Sequence, residues 1–472
     1  MNRLEKLRPA SFGALDPLEP VSALKSRSPI LLKATPAWGR TGAGRSWIRS
    51  LIASSPVILA PLASISTIIT IATFGGSFSD FFSAVKDEGF WTILAKYGPQ
   101  PTVQAGAAVV IWIGVQAILF RTLPGQTHSG QYTPAGHLLT YKINGLYAWI
   151  LTHLGYGLLC WFGLLDPAFI ALNWSQLIGA MNLAGLIASM FAFAKAHLFP
   201  SHPNDRKFSG SVIYDFYMGI ELNPRLGANF DFKLFSNGRL GMMAWTLIDV
   251  SNLAYQYQTQ GYTQLSLVLI TFLQTLYVVD FFFNESWYLR TIDIAHDHYG
   301  FYLGWGCLCF LPAMYTIQAQ YLGLYPTSMQ KHHLLFIFSI GLVAYALFRS
   351  ANHQKDKFRS SAGQCLIWGK PAEYIVAEYK TLDGKQYESL LLCSGWWGWS
   401  RHANYVGDLL FSYSTCALVG STKVIVWTYS IWMTMLLVHR CIRDEKRLSA
   451  KYGPAWDEYC RRVPWRFIPG LW

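Results

Sequence analysis

The 472-residue chain is 52% hydrophobic and 16% aromatic but only 14% charged, whereas a soluble domain carries about 25% charged residues. That balance excludes an ordinary soluble domain. It also excludes nucleic acid as the explanation of the formal net charge of +12, which instead fits basic loops gathered on the cytosolic side of a membrane.

Residues 1–50 are rich in Arg, Ser, Pro and Gly, show no periodicity, and read as a disordered basic tail. About ten apolar stretches follow, each near the ~20 residues that a bilayer requires: 51–74, 102–122, 145–165, 176–198, 239–258, 264–284, 300–322, 333–349, 405–420 and 423–439. The last two are short or polar and read as a helical hairpin. The expected fold class is an all-α polytopic membrane protein, with 51–238 an N-terminal group of helices and a cytosolic loop, and 239–472 a core half. Arg40, Arg45 and Arg49 before the first span, Lys355, Lys357, Arg359 and Lys370 after the eighth, and the Arg440–Arg466 group after the tenth place both termini in the cytosol. The longest polar insertions are 199–238 and 350–404. Within the second, Glu373–Tyr379 and Tyr387–Leu392 predict a strand pair around a turn at Asp383-Gly384. Eight cysteines without a C-x-x-C spacing read as reduced thiols rather than a disulfide framework.

No phosphate-loop motif occurs, and Gly155-x-Gly157 and Gly304-x-Gly306 lie in apolar stretches without a third glycine, so no Rossmann site is expected. The close histidine groups, His296/His298 and His332/His333, do not build multi-histidine boxes, and no metal centre is expected. Lys355 and Arg359 are spaced to share a helix face; they suit either phosphates or anionic lipid headgroups. Trp396, Trp397 and Trp399 beside Arg401, His402, Asn404 and Tyr405 serve either as interfacial anchors or as a stacking and hydrogen-bonding surface. Arg443, Asp444, Arg447, Lys451, Tyr452 and Tyr459 recur at helical spacing, as in an amphipathic surface helix or a ligand wall. These clusters bracket the terminal hairpin, so they should meet on one side as a basic, aromatic pocket for a large anionic cofactor feeding chemistry on a lipid. A third group, Asp280, Asn284, Glu285, Asp293, His296, Asp297, His298 and Tyr299, lies in the apolar region. Ionisable groups at membrane depth are costly and mark function, or else form a polar network between helices. An acid buried among aromatics can stay protonated and give its proton to an alkene.

From about residue 55 onward the chain resembles the sterol reductase family. The resemblance rests on Tyr214–Arg225, Asp231–Phe235, Gly238-Arg239, Asn284–Tyr288, Asp293–Gly300, Cys365–Gly369, the Ser394–Asp408 segment and the terminal Asp444–Gly470 segment. His298 and the Cys-Leu-Ile-Trp-Gly stretch resemble the Δ7-reducing type. The resemblance implies an endoplasmic reticulum membrane enzyme that takes a sterol from the bilayer, works among membrane lipids and other sterol-biosynthesis enzymes, and uses NADPH. Its cofactor positions fall on Lys355, Arg359, Leu392, Trp397, Asn404, Tyr405, Asp444, Leu448, Tyr452 and Tyr459, with Leu448 standing where the family often has Cys. An isolated trisubstituted alkene is too electron-rich for direct hydride attack, so protonation must come first. The acid is expected among Asp297, Tyr277 and Tyr299, with Glu285 in support. Rival expectations are a Δ14- or Δ24-sterol reductase, a membrane thiol methyltransferase, against which Ala403 speaks, and a non-catalytic sterol-binding protein.

Overall fold

The computed structural model describes residues 47–380 and 384–472. The expected tail up to residue 46 and Asp383 of the expected turn lie outside the described residues. Among the described residues six helices are long and apolar enough to cross a membrane: Ser50–Thr73, Val103–Thr122, Trp174–Leu198, Leu265–Phe283, Lys331–Ser360 and Val424–Tyr452. Val110, Ile111 and Ile118 on the second, and Phe336 and Val343 on the fifth, are exposed. On a soluble protein such apolar faces would be a liability; on a bilayer-spanning helix they meet lipid.

The other four expected spans take shorter or broken forms. Residues 145–165 give the helix Gly145–Trp161. The 239–258 stretch begins as a π-helical turn, Phe235–Met242, and continues as Met243–Gln260. The 300–322 stretch breaks into Phe301–Trp305, a π-helical turn Gly306–Phe310, Leu311–Met314 and Ile317–Leu324. Residues 405–420 give Ala403–Ala417. The two π-helical turns pack on each other, and a Cβ added at Gly241 would sit 2.8 Å from the Cys307 carbonyl. Composition reports apolar length but is blind to such breaks. At the first span, the helix restarts at Pro56 after Trp47–Ser54, proline being suited to a first helical turn, and Pro61 lies inside the new helix.

The predicted strand pair is present: Tyr374–Lys380 pairs antiparallel with Gln386–Leu392, from Tyr374↔Leu392 to Lys380↔Gln386. All eight cysteines are free.

Two large apolar clusters form the interior. One gathers Ile270, Leu273, Ile317, Leu322, Phe411 and Val426; the other gathers Trp245, Val278, Phe282, Tyr429 and Leu437. Tyr277, Tyr315 and Trp427 pack against both. Beside them lies a fully enclosed polar knot. Arg239 donates to Glu285 Oε1 at 2.6 Å and to Asn144 Oδ1 at 2.9 Å. Glu285 Oε2 accepts from the Gly145 N–H at 2.8 Å. Asn144 Nδ2 reaches the Phe120 and Leu123 carbonyls at 3.0 and 3.1 Å. The knot therefore satisfies the end of one helix and the start of the next, and ties both to a π-helical turn and to the segment after Leu265–Phe283.

Both charged side chains of this knot are 0% exposed. Removing one partner of such a pair strands the other in a medium that cannot solvate it, at about 3–5 kcal/mol. Glu285→Ala is expected to lower the thermal unfolding midpoint of the detergent-solubilised protein clearly; an unchanged midpoint would refute the structural role assigned to the pair.

Candidate active site

The last two long helical segments, Ala403–Ala417 and Val424–Tyr452, are joined by only a short turn and run as an antiparallel pair. Their outer ends meet, as the hairpin expectation required. Arg401 donates to Glu445 Oε1 at 2.7 Å and to the Val463 carbonyl at 2.8 Å. Lys331–Ser360 crosses Ala403–Ala417 closely, because Gly407 leaves room for the Phe348 backbone; a Cβ there would lie 2.6 Å from Phe348 N.

The cofactor positions implied by the resemblance come from six separate segments and form one wall. Lys355 Nζ lies 3.6 Å from the centre of the Trp397 ring, a cation–π arrangement. The Trp397 indole N–H donates to the Ala351 carbonyl at 2.8 Å, and Leu392 packs with Trp397 and Phe358. Tyr459 donates to the Trp397 carbonyl at 3.4 Å. Tyr452 and Tyr459 are buried against Ala377, with Leu448 packed on the same cluster, and Tyr452 donates to Ser389 Oγ at 3.1 Å. Asn404 Nδ2 reaches Asn352 Oδ1 at 3.2 Å, while Asn404 Oδ1 is buried with no partner. The Tyr405 ring stacks on His402 at 5.0 Å.

Charge at this wall is one-sided. Lys355, Arg359, Arg447 and Lys451 have Asp444 as a common carboxylate neighbour. Asp444 pairs with Arg447, and Asp356, on the Lys355 helix, is taken by Arg290. Such a cluster suits a polyanion. Burial pushes His402 down to about 4 and Tyr459 upward, so both are neutral at physiological pH. His402, Cys441 and Glu445 bring donor atoms within 4.8 Å of one another. Both Glu445 oxygens, however, are engaged by Arg401 and Arg466, which is a poor setting for a cation.

The proton-donor candidates do not share one environment. Asp297 is buried, as expected, yet faces a cation: Oδ1 pairs with Arg443. Its carbonyl accepts from Lys233 Nζ at 2.7 Å. Lys233 also donates to the Asp293 and Ile294 carbonyls, and burial pushes it down to about 8 against the pull of Asp231, Asp297 and Asp293. Arg440 donates to Asp293 Oδ1 at 2.5 Å, and Arg447 donates to His296 Nε2 at 2.9 Å. Burial first, and then Arg447, hold His296 well below its usual range; burial pushes His298 down to about 3. Three arginines at helical spacing thus clamp the 291–299 turn. Glu285 belongs to the Arg239 knot. Tyr299 hydrogen-bonds Ser236 at 2.7 Å. Tyr277 alone of the four lies between the two central clusters, its ring stacked 5.5 Å from Phe411.

Several side chains of this central region escaped the sequence reading: Trp245, Tyr315, Tyr429 and Asp408. Asp408 carried a visible signal, an acid inside an apolar stretch. The aromatic residues carried none, since single rings in apolar helices are ordinary.

The comparisons agree with this architecture. The Ergosterol biosynthesis ERG4/ERG24 family profile matches residues 63–472. A 7-dehydrocholesterol reductase of Danio rerio is 45% identical over 388 residues, 79% of this chain and 80% of the relative. A probable 7-dehydrocholesterol reductase of Acanthamoeba polyphaga mimivirus is 42% identical over 416 residues, 86% of this chain and 91% of the relative. A Delta(14)-sterol reductase of Methylotuvimicrobium alcaliphilum is 34% identical over 436 residues, 91% of this chain and 96% of the relative. A profile match over most of the length, joined to a helical membrane architecture, makes this chain a member of the ERG4/ERG24 family of sterol reductases.

Proposed function

We propose that the protein is an NADPH-dependent sterol Δ7-reductase that saturates the C7–C8 double bond of a sterol drawn from the bilayer. We infer further that it works in the endoplasmic reticulum membrane, with both termini cytosolic. The observation that carries the reading is the cationic, aromatic wall at the outer ends of the terminal helical pair, in a chain 45% identical to a 7-dehydrocholesterol reductase.

The residues present fit a dinucleotide phosphate. Lys355 and Arg359 supply cations beyond what Asp444 offsets, and Arg grips phosphate oxygens bidentately. Trp397, itself buried, holds the Lys355 ammonium in place over its ring. The orphaned Asn404 Oδ1 and the Tyr405 hydroxyl would hold an amide or ribose. Asp444, Leu448, Tyr452, Tyr459 and Leu392 complete the wall. NADPH, when bound, supplies a hydride; the protein must orient it, exclude water and deliver a proton to the alkene first. Asp297 and Glu285 are engaged by guanidinium groups and Tyr299 by Ser236, so of the four sequence candidates Tyr277 is the one set in the deep interior. The second reading, reduction of a Δ14 bond, is favoured by the 34% identity to a Delta(14)-sterol reductase.

Purified protein given NADPH and 7-dehydrocholesterol is expected to yield cholesterol with stoichiometric NADPH consumption, identified by mass spectrometry. Product only from a Δ14- or Δ24-unsaturated sterol would overturn the Δ7 assignment. Arg359→Ala removes a charge-assisted phosphate contact of about 1.5–3 kcal/mol. It is expected to weaken NADPH binding ~10- to 100-fold while leaving turnover at saturating NADPH nearly intact. Wild-type affinity in the variant would exclude Arg359 from the phosphate site.

A further inference from the structure

We propose that Asp408 is the proton donor of the reduction, and that Trp245, Tyr277, Tyr315 and Tyr429 form an aromatic box that holds the resulting carbocation. The proposal rests on the reading that this chain reduces a sterol double bond, and it assigns the two tasks that the chemistry demands.

Position is the first argument. Asp408 lies on Ala403–Ala417, one turn beyond Asn404 and Tyr405 and one turn before Phe411. At ~1.5 Å rise per residue, it sits about 5 Å deeper than the cofactor wall and on the same helix face. Phe411 stacks on Tyr277 at 5.5 Å. The carboxyl therefore stands between the place where a nicotinamide would be held and the central aromatic residues, and its electrostatic neighbours include Tyr277, Tyr315, Tyr429 and Arg440.

The second argument is its lack of a partner. Asp408 is 7% exposed, and its Oδ1 is buried without a hydrogen bond. Arg440, the cation facing it, gives its Nη2 to Asp293. A carboxylate whose Oδ1 has no hydrogen bond is disfavoured at such depth, which favours the neutral acid against the pull of Arg440. Asp297, Asp293 and Glu285 each hold an arginine; Asp408 does not.

The box is the third. Trp245 lies 5.8 Å from Tyr277, 5.3 Å from Tyr315 and 6.4 Å from Tyr429, and Tyr315 lies 5.0 Å from Tyr429, centre to centre. Trp245 and Tyr429 are buried, whereas Tyr277 and Tyr315 keep accessible surface for a ligand to cover. The π faces of such rings stabilise a cation by about 2 kcal/mol or more each when desolvated. A phenol is a poor donor to an alkene, being about six orders of magnitude weaker as an acid than a carboxylic acid. The tyrosines suit the cation, and the carboxylic acid suits the proton.

The step balances. The Asp408 O–H bond breaks and a C–H bond forms at one alkene carbon, using the π electron pair and leaving the other carbon cationic. A hydride with its electron pair reaches that carbon from a reduced nicotinamide, which becomes oxidised. The Asp408 carboxylate then regains a proton from water.

The test uses full-length protein in lipid nanodiscs and whichever of the Δ7-, Δ14- or Δ24-unsaturated sterols the wild type reduces. Asp408→Asn is expected to lower product formation ~10²- to 10⁴-fold with NADPH affinity within threefold of wild type. It should also remove a protonated-carboxyl stretch from the infrared difference spectrum, one distinct from any band removed by Asp249→Asn, since Asp249 is the other buried helix carboxyl without partners. Asp408→Glu should restore part of the activity, and Trp245→Leu should lower turnover while leaving the Asp408 band in place. Activity within tenfold of wild type in Asp408→Asn, an unchanged carboxyl spectrum, or loss of NADPH binding alongside activity would each overturn the assignment. If the wild type reduces none of these sterols, the reductase reading itself fails, and the donor assignment falls with it.

Discussion

The structure depends on how charge is kept at membrane depth. Arg239 and Glu285, both without solvent exposure, satisfy each other, Asn144 and a helix-starting N–H. A buried pair adds little net stability over apolar packing. What it adds is register: these donors and acceptors are satisfied together only in one arrangement of four segments. Helices in lipid lack a hydrophobic drive toward one another, so such polar knots matter more to the choice of arrangement than to the total free energy.

The same physics sorts the acids of the protein into two kinds. Asp293, Asp297 and Glu285 are matched to guanidinium groups and act as fasteners. Through Arg440, Arg443 and Arg447 the long terminal helix grips the turn that carries Asp293, His296 and Asp297, which joins the two flanks of the candidate site. Asp408 and Asp249 have buried oxygens with no partner. A paired acid holds structure together; the unpaired ones carry no such role.

Much of this was legible in the residues. The apolar stretches, the terminal hairpin and the Tyr374–Lys380/Gln386–Leu392 pair follow from local periodicity and composition. The ten-segment pattern meets six long apolar helices among the described residues; of the other four stretches two give helices of 17 and 15 residues, one is interrupted after Met314, and Met243–Gln260 is long enough but carries many polar residues. Of the basic–aromatic wall, Lys355, Arg359 and the Arg443–Tyr459 group were legible from helical spacing and Trp397, Asn404 and Tyr405 from their clustering, while Leu392 and Leu448 followed only from the family resemblance. The environment of Asp297 was not. Its partner Arg443 is 146 positions away, and a residue's neighbours across a bundle leave no trace in local sequence. Reading Asp297 as an acid among aromatics was sound from its flanks, and the arrival of another helix changed its surroundings.

The aromatic box extends the same point. Trp245, Tyr277, Tyr315 and Tyr429 come from different helices, and each alone looks like ordinary core. Together they form one connected group of rings, with centres 5.0–6.4 Å apart, in the apolar interior. Protonating an alkene in such a place raises two opposed demands. The acid must still carry its proton when the alkene arrives, and the site must be dry enough that the cation is not quenched by water. A buried carboxyl whose facing arginine is committed elsewhere meets the first, because burial that disfavours its anion keeps it loaded. Aromatic rings suit the second, since their faces stabilise charge without forming a bond to it. An arginine-paired carboxylate such as Asp297 would fail the first demand, which is why the fasteners and the chemistry are best kept on different residues.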